Sequence, residues 1–341
     1  MTKTHTARPV WIVLALLSAA LLLSVMVGSV FIPLESLLAA VRNGLAGNPD
    51  ADTFTTILFS LRLPRTILIA LVGAGLASSG TAYQGLFRNP LADPYLIGVA
   101  SGAGLGAVAA MSIQWSYTPL GLAAIPMSAF LGGFLTVLIV YALARVGKTV
   151  PVSTLILAGV AVSAFTSSLT SFLVLTTNGE VRRALIWLMG GATLSGWRPV
   201  IALLPYWLVG VTLLLSMGHA LNVLQFGDEQ AQQLGLPVTR VRRVVIIAAA
   251  LTTAAAVAFA GVIGFVGLVV PHILRLFMGG DYRRLLALSL PAGAAFLLVA
   301  DVLARIVLAP QELPVGIITA LAGAPFFLWL LRAARRNSAW S

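Results

Sequence analysis

Three histidines, ten carboxylates and a lysine set in ALARVGKT are the side chains with which this chain could do acid–base, metal or phosphate chemistry. His5, His219 and His272 stand far apart, no HExxH occurs, and no acidic pair shares a helix face at metal-ligand spacing, so no metal centre is indicated. His272, in VVPHILR, leaves two readings open: a packed or hydrogen-bonded residue near a helix end, and a contact for haem or a ferric chelate. The segment Ala142 to Thr149 fits the permissive form of a nucleotide-binding phosphate loop. Such a loop has to follow a strand and open a soluble helix; here the residues end an apolar segment and Pro151 follows, so ATP is not expected to bind. Asp301 is the nearest candidate for a buried, proton-carrying acid, yet Arg305 follows at the i,i+4 spacing that lets the two pair, which reads as a salt-bridged helix end. With no cysteine there is no thiolate nucleophile, thiolate metal site or disulfide.

The elements that must position these residues are membrane helices. The chain is 59% hydrophobic and 9% charged, with a mean hydropathy of +1.01, which leaves no polar coat for a water-soluble globule. A hydrocarbon core of roughly 30 Å needs about 20 mostly apolar residues per helix, and blocks of that length recur throughout. Barrel strands would place a polar residue at every second position, which LALLSAALLLSVMVGSVF does not. The expectation is an all-α polytopic protein of about ten spans: Val10 to Phe31, Leu63 to Tyr83, Tyr95 to Ile113, Leu120 to Val146, Ser153 to Leu175, Pro199 to Met217, Val244 to Phe259, Val262 to Phe277, Leu285 to Leu308 and Val315 to Leu331. The first is read as a retained anchor, because it lacks a clear small-residue cleavage site.

Charge orients the bundle. Lys3, Arg8, Arg88, Arg145, Lys148, Arg240, Arg242, Arg243, Arg283, Arg284, Arg332, Arg335 and Arg336 fall on one side, against Arg42, Arg62, Arg65, Arg182, Arg183, Arg198 and Arg305 on the other. The positive-inside rule then places both termini in the cytoplasm of a multi-pass protein of the cytoplasmic (inner) membrane. The formal net charge of +11 reads as this topology plus contact with anionic lipid. Nucleic acid is not expected as a partner, since no basic run is interleaved with aromatics on a soluble face.

No linker divides the chain, so residues 1–341 are read as one membrane domain with an inner polar segment from about His219 to Arg243. RLPRTILIALVGAG and RVRRVVIIAAALTT echo each other from opposite faces, as an inverted repeat would. In LFRNPLADPYLIGVASGAGLGA, Pro90 and Pro94 stop a helix. Gly98, Gly102 and Gly106 then recur every four residues, so that another backbone can approach one helix face. In QFGDEQAQQLGLPVTRVRR, Asp228 is expected to cap a short helix, Glu229 to sit in its first turn, and Gly235 and Pro237 to end it. A short solvent-side helix suits docking to a partner.

RLPR, LVGAGLASSGTAYQGLFRNPLADPYLIGVASGA, GDEQAQQLGLP, GFVGLVVPHILRLFMGGDYRRLLALS and ADVLARIVLAPQELPVGIITALAGAPFFLWLL, in this order, resemble the FecCD-type permeases of ATP-binding cassette importers. The resemblance implies a type II importer permease fold of ten helices and a homodimer around a central path. It further implies two cytoplasmic ATPase subunits below, an extracytoplasmic substrate-binding protein above, and a chain that catalyses nothing and binds no cofactor, ATP being used by its partner. It assigns binding-protein docking to Arg62, Arg65 and Arg305, and ATPase coupling to Gly227, Asp228, Glu229, Ala231, Leu234 and Gly235. A cytoplasmic gate is implied at Asn89 and Leu91, opposite Val152 and Ser153, although Val152 departs from the hydroxyl of some relatives. The fifth and tenth helices, with breakers at Gly159, Gly316, Gly323 and Pro325, would line the path. The implied cargo is a bulky metal chelate, ferric siderophore first, then cobalamin and haem. An ion-coupled secondary transporter is the reading from another class; it requires transport by the isolated chain.

Overall fold

A computed structural model describes residues 7–338 apart from 29, 49–51, 114–118, 148, 177–180, 193 and 195. Lys3, His5 and Lys148 therefore lie outside the described residues, as do the side chains of Arg8, Arg335 and Arg336. Backbone amides in lipid find no water, so apolar runs close their hydrogen bonds internally as helices. In chain order these are α1 (Ala7–Met26), α2 (Leu34–Leu45), α3 (Thr53–Phe87), α4 (Val99–Met111), α5 (Pro119–Leu143), α6 (Val152–Thr176) and α7 (Val181–Leu188). There follow α8 (Trp197–Ser216), α9 (Gly218–Leu224), α10 (Asp228–Gln233), α11 (Val238–Ala260), α12 (Val266–Met278), α13 (Tyr282–Ile306) and α14 (Val315–Ser338). Among the described residues a helix stands at each of the ten expected places, with shifted ends; seven are long and apolar enough to cross a membrane, and α4, α12 and the apolar part of α14 are shorter. The second begins ten residues early at Thr53 and runs past Tyr83 to Phe87, and the third starts at Val99 after a 3-10 turn over Pro94–Ile97.

Two sets of four helices echo each other. After the helix opened by RLPR comes α4, of 13 residues, then α5 and α6, of 25 each. After α11, whose first turns carry Arg240, Arg242 and Arg243, comes α12, also of 13 residues, then α13 and α14, of 25 and 24. Both short helices follow a left-handed residue, Gly98 (φ 85°) and Phe265 (φ 70°). Their starting ends meet: the Tyr95 hydroxyl donates to the Ile263 carbonyl at 2.9 Å and accepts from the Ile263 amide at 3.2 Å. A length of about 20 Å, at 1.5 Å per residue, leaves neither able to cross the hydrocarbon alone.

The core is built where glycines let backbones touch. A Cβ on Gly73 would strike the carbonyl of Gly293, joining α3 to α13, and one on Gly80 would strike Gly267, joining α3 to α12. Of the most apolar 18-residue stretches, 72% of that in α11 and 67% of that in α13 is buried, against 22% in α1 and 17% in α6. The first pair forms the centre; α1 and α6 are peripheral in a single copy.

Helix α13 is capped by Asp281, whose Oδ1 accepts from the Arg283 amide at 3.0 Å and from Asn222 Nδ2 at 2.7 Å, while Asn222 Oδ1 accepts from the Tyr282 amide at 2.7 Å. The Asn222 amide, with the Arg283 backbone and the nearby arginines, holds the Asp281 carboxyl below its ordinary value despite partial burial. A depressed folded-state value gives stability that is present above the ordinary carboxylate range and lost as pH falls through the folded value. Asp281→Ala is therefore expected to cost about 1 kcal/mol at neutral pH, the usual worth of such a cap, with the gap in thermal midpoint narrowing near pH 3.

Candidate functional site

At one end of the bundle five charges form a network. Leu58–Arg62 is a π turn, and Pro64 follows in the first turn of the straight part of α3. Pro64 supplies no amide, and the wider turn absorbs the missing bond. Arg62 donates from Nη1 to the Val27 carbonyl at 2.6 Å and from Nη2 to that of Val30 at 2.8 Å. Arg305 donates to the carbonyls of Ser24 and Val27 and to Ser24 Oγ, and so fastens α13 to the end of α1. Asp301, fully buried, stands between two guanidiniums. Its Oδ1 accepts from Arg65 Nη2 at 2.9 Å, and its Oδ2 lies 3.1 Å from Arg305 Nε, close enough for a charge pair though not aligned as a hydrogen bond. Arg65 Nη1 reaches Glu312 at 2.7 Å.

The expected Asp301–Arg305 pair is therefore present, but three guanidiniums reaching freely outward are not. Arg62 is 7% and Arg305 3% exposed, each spent on internal acceptors, whereas the Arg65 and Glu312 side chains are 21% and 42% exposed. Three guanidiniums against two carboxylates leave one net positive charge; Arg65, paired with both carboxylates, is the most exposed of the three arginines. Sequence reading missed Glu312 and the Arg65–Asp301 pair because those partners lie 247 and 236 positions away from Arg65.

At the opposite end α10 sits between two positive-φ glycines, Gly227 (φ 104°) and Gly235 (φ 83°). Its exit is a Schellman turn: the Leu236 amide donates to Ala231 and the Gly235 amide to Gln232, both at 2.9 Å. Ala231 is fully buried; Glu229 is exposed, and Phe226 and Leu234 are 67% and 69% exposed. Asp228 is not the cap. Gly227 holds that position, and Asp228, in the first helical turn, accepts from Arg242 Nη2 at 2.8 Å, because a buried guanidinium is a stronger partner than a backbone amide. Beside α10 an open cleft of 560 Å³ is lined by Gln232, Leu236, Arg240 and Arg243 among others.

The turn after α3 carries Asn89 and Leu91. Arg88 ends the helix in the left-handed region (φ 50°), and Asn89 Oδ1 accepts from the Leu91 amide at 2.9 Å, which fixes the turn. Asn89 and Leu91 are exposed; at the start of α6 Ser153 is exposed and Val152 half-buried. Helix α6 buries only Leu155, Gly159, Thr166 and Thr170, and leaves Leu157 and Phe165 70% and Phe172 60% exposed. Gly159 lets it lie against the carbonyl of Leu96. Both ring nitrogens of His272 are buried without a hydrogen-bond partner among the described residues, and the ring meets Phe326 edge-on at 6.0 Å, so packing is the reading the structure supports. ALARVGKT straddles the end of α5, whose last two residues are Ala142 and Leu143, and among the described residues no strand precedes it.

The chain as a whole has counterparts in known proteins. Residues 16–333 match the model of the FecCD transport family. The cobalamin import system permease protein BtuC of Halobacterium salinarum is 48% identical over 82% of this chain and 74% of its own. The Fe(3+) dicitrate transport system permease protein FecD of Escherichia coli is 40% identical over 95% and 98%. A solved ABC transporter in an inward-facing conformation superposes with a TM-score of 0.80 at 31% identity, covering 94% of this chain and 97% of that one. The architecture is that of a type II ABC importer permease, and the chain belongs to the FecCD transport family.

Proposed function

We propose that two copies of this chain form the membrane path of an ATP-driven importer for a bulky metal chelate, and that the chain itself does no chemistry. The observation that carries this reading is α10, a six-residue helix set between two positive-φ glycines, with an acidic first turn and the exposed Phe226 and Leu234 flanking it. Exposed apolar side chains at both ends of a helix too short to be stable alone fit a rigid knob that another protein's cleft covers. Gly227, Asp228, Glu229, Ala231, Leu234 and Gly235 then engage a separate ATPase, one per copy. The basic α10–α11 end faces the cytoplasm, with both termini, in the inner membrane. At the other end Arg65 meets carboxylates of a soluble binding protein, and Arg62 and Arg305 back it with fixed positive charge. The uncovered face of α6, with α14, lines the path between the two copies, and Asn89, Leu91, Val152 and Ser153 close its inner mouth.

Cobalamin is the first cargo to test, because the relative at 48% identity carries that name; a ferric chelate, favoured by the sequence reading, follows on the strength of FecD. Vesicles holding this chain with its ATPase and a cobalamin- or ferric-chelate-loaded binding protein are expected to accumulate cargo only when ATP is supplied. Accumulation by the chain alone under an ion gradient would instead establish a secondary transporter and sink the proposal.

A further inference from the structure

If α10 is where the ATPase pushes, something must carry the push to the gate. Two contacts leave α10 in that direction. The Arg88 guanidinium lies beside Gly227, 3.3 Å from where a Cβ would sit, and Arg88 directly precedes Asn89. The second contact is stronger. Arg242, one turn into α11, donates from Nη2 to Asp228 Oδ2 at 2.8 Å and from Nη1 to the Val150 carbonyl at 2.9 Å.

We infer that Arg242 is the strut that transmits movement of α10 to the start of α6, and with it to the gate residues Val152 and Ser153; the inference rests on the importer reading above. Its position fits transmission. Arg242 is 7% and Val150 2% exposed, so the Val150 end of the link lies in the interior, while the Asp228 side chain at the other end, 39% exposed, stays within reach of α10's surroundings. The next residue, Pro151, accepts from the Leu155 amide at 3.0 Å, so the peptide that Arg242 holds is continuous with the first turn of α6. Guanidinium is the group for such a link, since its planar fork holds two acceptors in fixed relation while an ammonium has no fixed fork. Burial makes the link stiff: a desolvated cation that lets go of either acceptor is left underpaired, and among the described residues Arg242 Nε already lacks a partner. Arg242 is thus a positioning residue, acting through the backbone of Val150 and not on any substrate.

The chain contains no cysteine, so a single Ser153→Cys reporter in the complete complex can be read with a membrane-impermeant maleimide. In the otherwise unsubstituted complex the labelling rate is expected to change between the nucleotide-free state and the state trapped with a non-hydrolysable ATP analogue. Arg242→Gln is expected to shrink that nucleotide-dependent change about tenfold, within the usual range of coupling between sites, while ATP hydrolysis by the complex persists. Arg242→Lys, which keeps the charge and guards against misfolding, is expected to assemble normally and still not restore the response. A full response in Arg242→Gln or Arg242→Lys overturns the strut alone. A flat response in the unsubstituted complex overturns the importer reading, and the strut with it.

Discussion

Asp301→Ala is expected to destabilise the protein by about 3–5 kcal/mol, the cost of stripping a buried ion pair of one partner. The carboxylate has no exposure and lies between Arg65 and Arg305, so its removal leaves a nearly fully buried guanidinium facing a cavity. Arg305 keeps its bonds to Ser24 and Val27, but these are neutral acceptors and do not balance its charge. Thermal unfolding in detergent, read with the monodisperse fraction after size exclusion, measures the loss. Asp301→Asn keeps the shape and one acceptor and should lose less. Glu312→Ala, at the exposed end of the same network, should fall within about 1 kcal/mol of the parent, as surface pairs do. Replacing Asp301 by Leu together with Arg305 by Met should recover most of the stability, since apolar packing often substitutes for a buried pair. If Asp301→Ala stays within 1 kcal/mol of the parent, water reaches these arginines and the network is not the buried one described.

Gly102→Leu is the other substitution with a large expected effect. A Cβ there would overlap Thr136 Oγ1 and the Gly132 carbonyl, and reciprocally a Cβ on Gly132 would overlap the carbonyl of Gly102. One turn on, Gly106 meets the Ser128 carbonyl in the same manner. The obstacles are largely backbone and cannot rotate away, so α4 and α5 must separate along their whole crossing. Lipid tails are as apolar as leucine and provide no push to keep the helices together, so the lost contact is not regained elsewhere. We expect a cost at or above about 3 kcal/mol, the upper part of the usual overpacking range, seen as lost expression and an early thermal transition. Gly264→Ala is the control: nothing lies within 4 Å of its would-be Cβ, and it should be neutral. A stable, monodisperse Gly102→Leu protein would mean that the close crossing does not hold the bundle together.

The four-residue glycine spacing was thus legible, and it pointed to a neighbour that is now identified as α5. One correction attaches to it: Gly98 is not inside the helix but ends the preceding 3-10 turn, its positive φ being the reason for glycine there. The helices at the ten expected places were equally legible, seven of them long enough to span, because lipid demands uninterrupted apolar runs. The short amphipathic helices α2 and α7 were not, since LESLLAAVRNGL and VRRALIWL are apolar on one face only and look like ordinary polar connections in a search for spans. The candidate sites divide in the same way. Arg65, Asp228 and Ser153 stand out by motif, but what each touches depends on residues far off in the chain. Asp228 looked like a cap because its local sequence favours one, and only the fold shows Arg242 taking it. Arg62 and Arg305 were assigned to a partner by the family resemblance, and only packing against the exit of α1 shows where their donors go.

Helices α4 and α12, one in each echoing set, have a bearing on the lipid environment. Because both are stubs with most of one flank walled in by longer neighbours, they set no preferred thickness for the surrounding membrane. That is left to the full-length rods that face lipid, α1 among them. A thicker or thinner bilayer therefore acts on the tilt of these outer rods and reaches the paired stubs only through them.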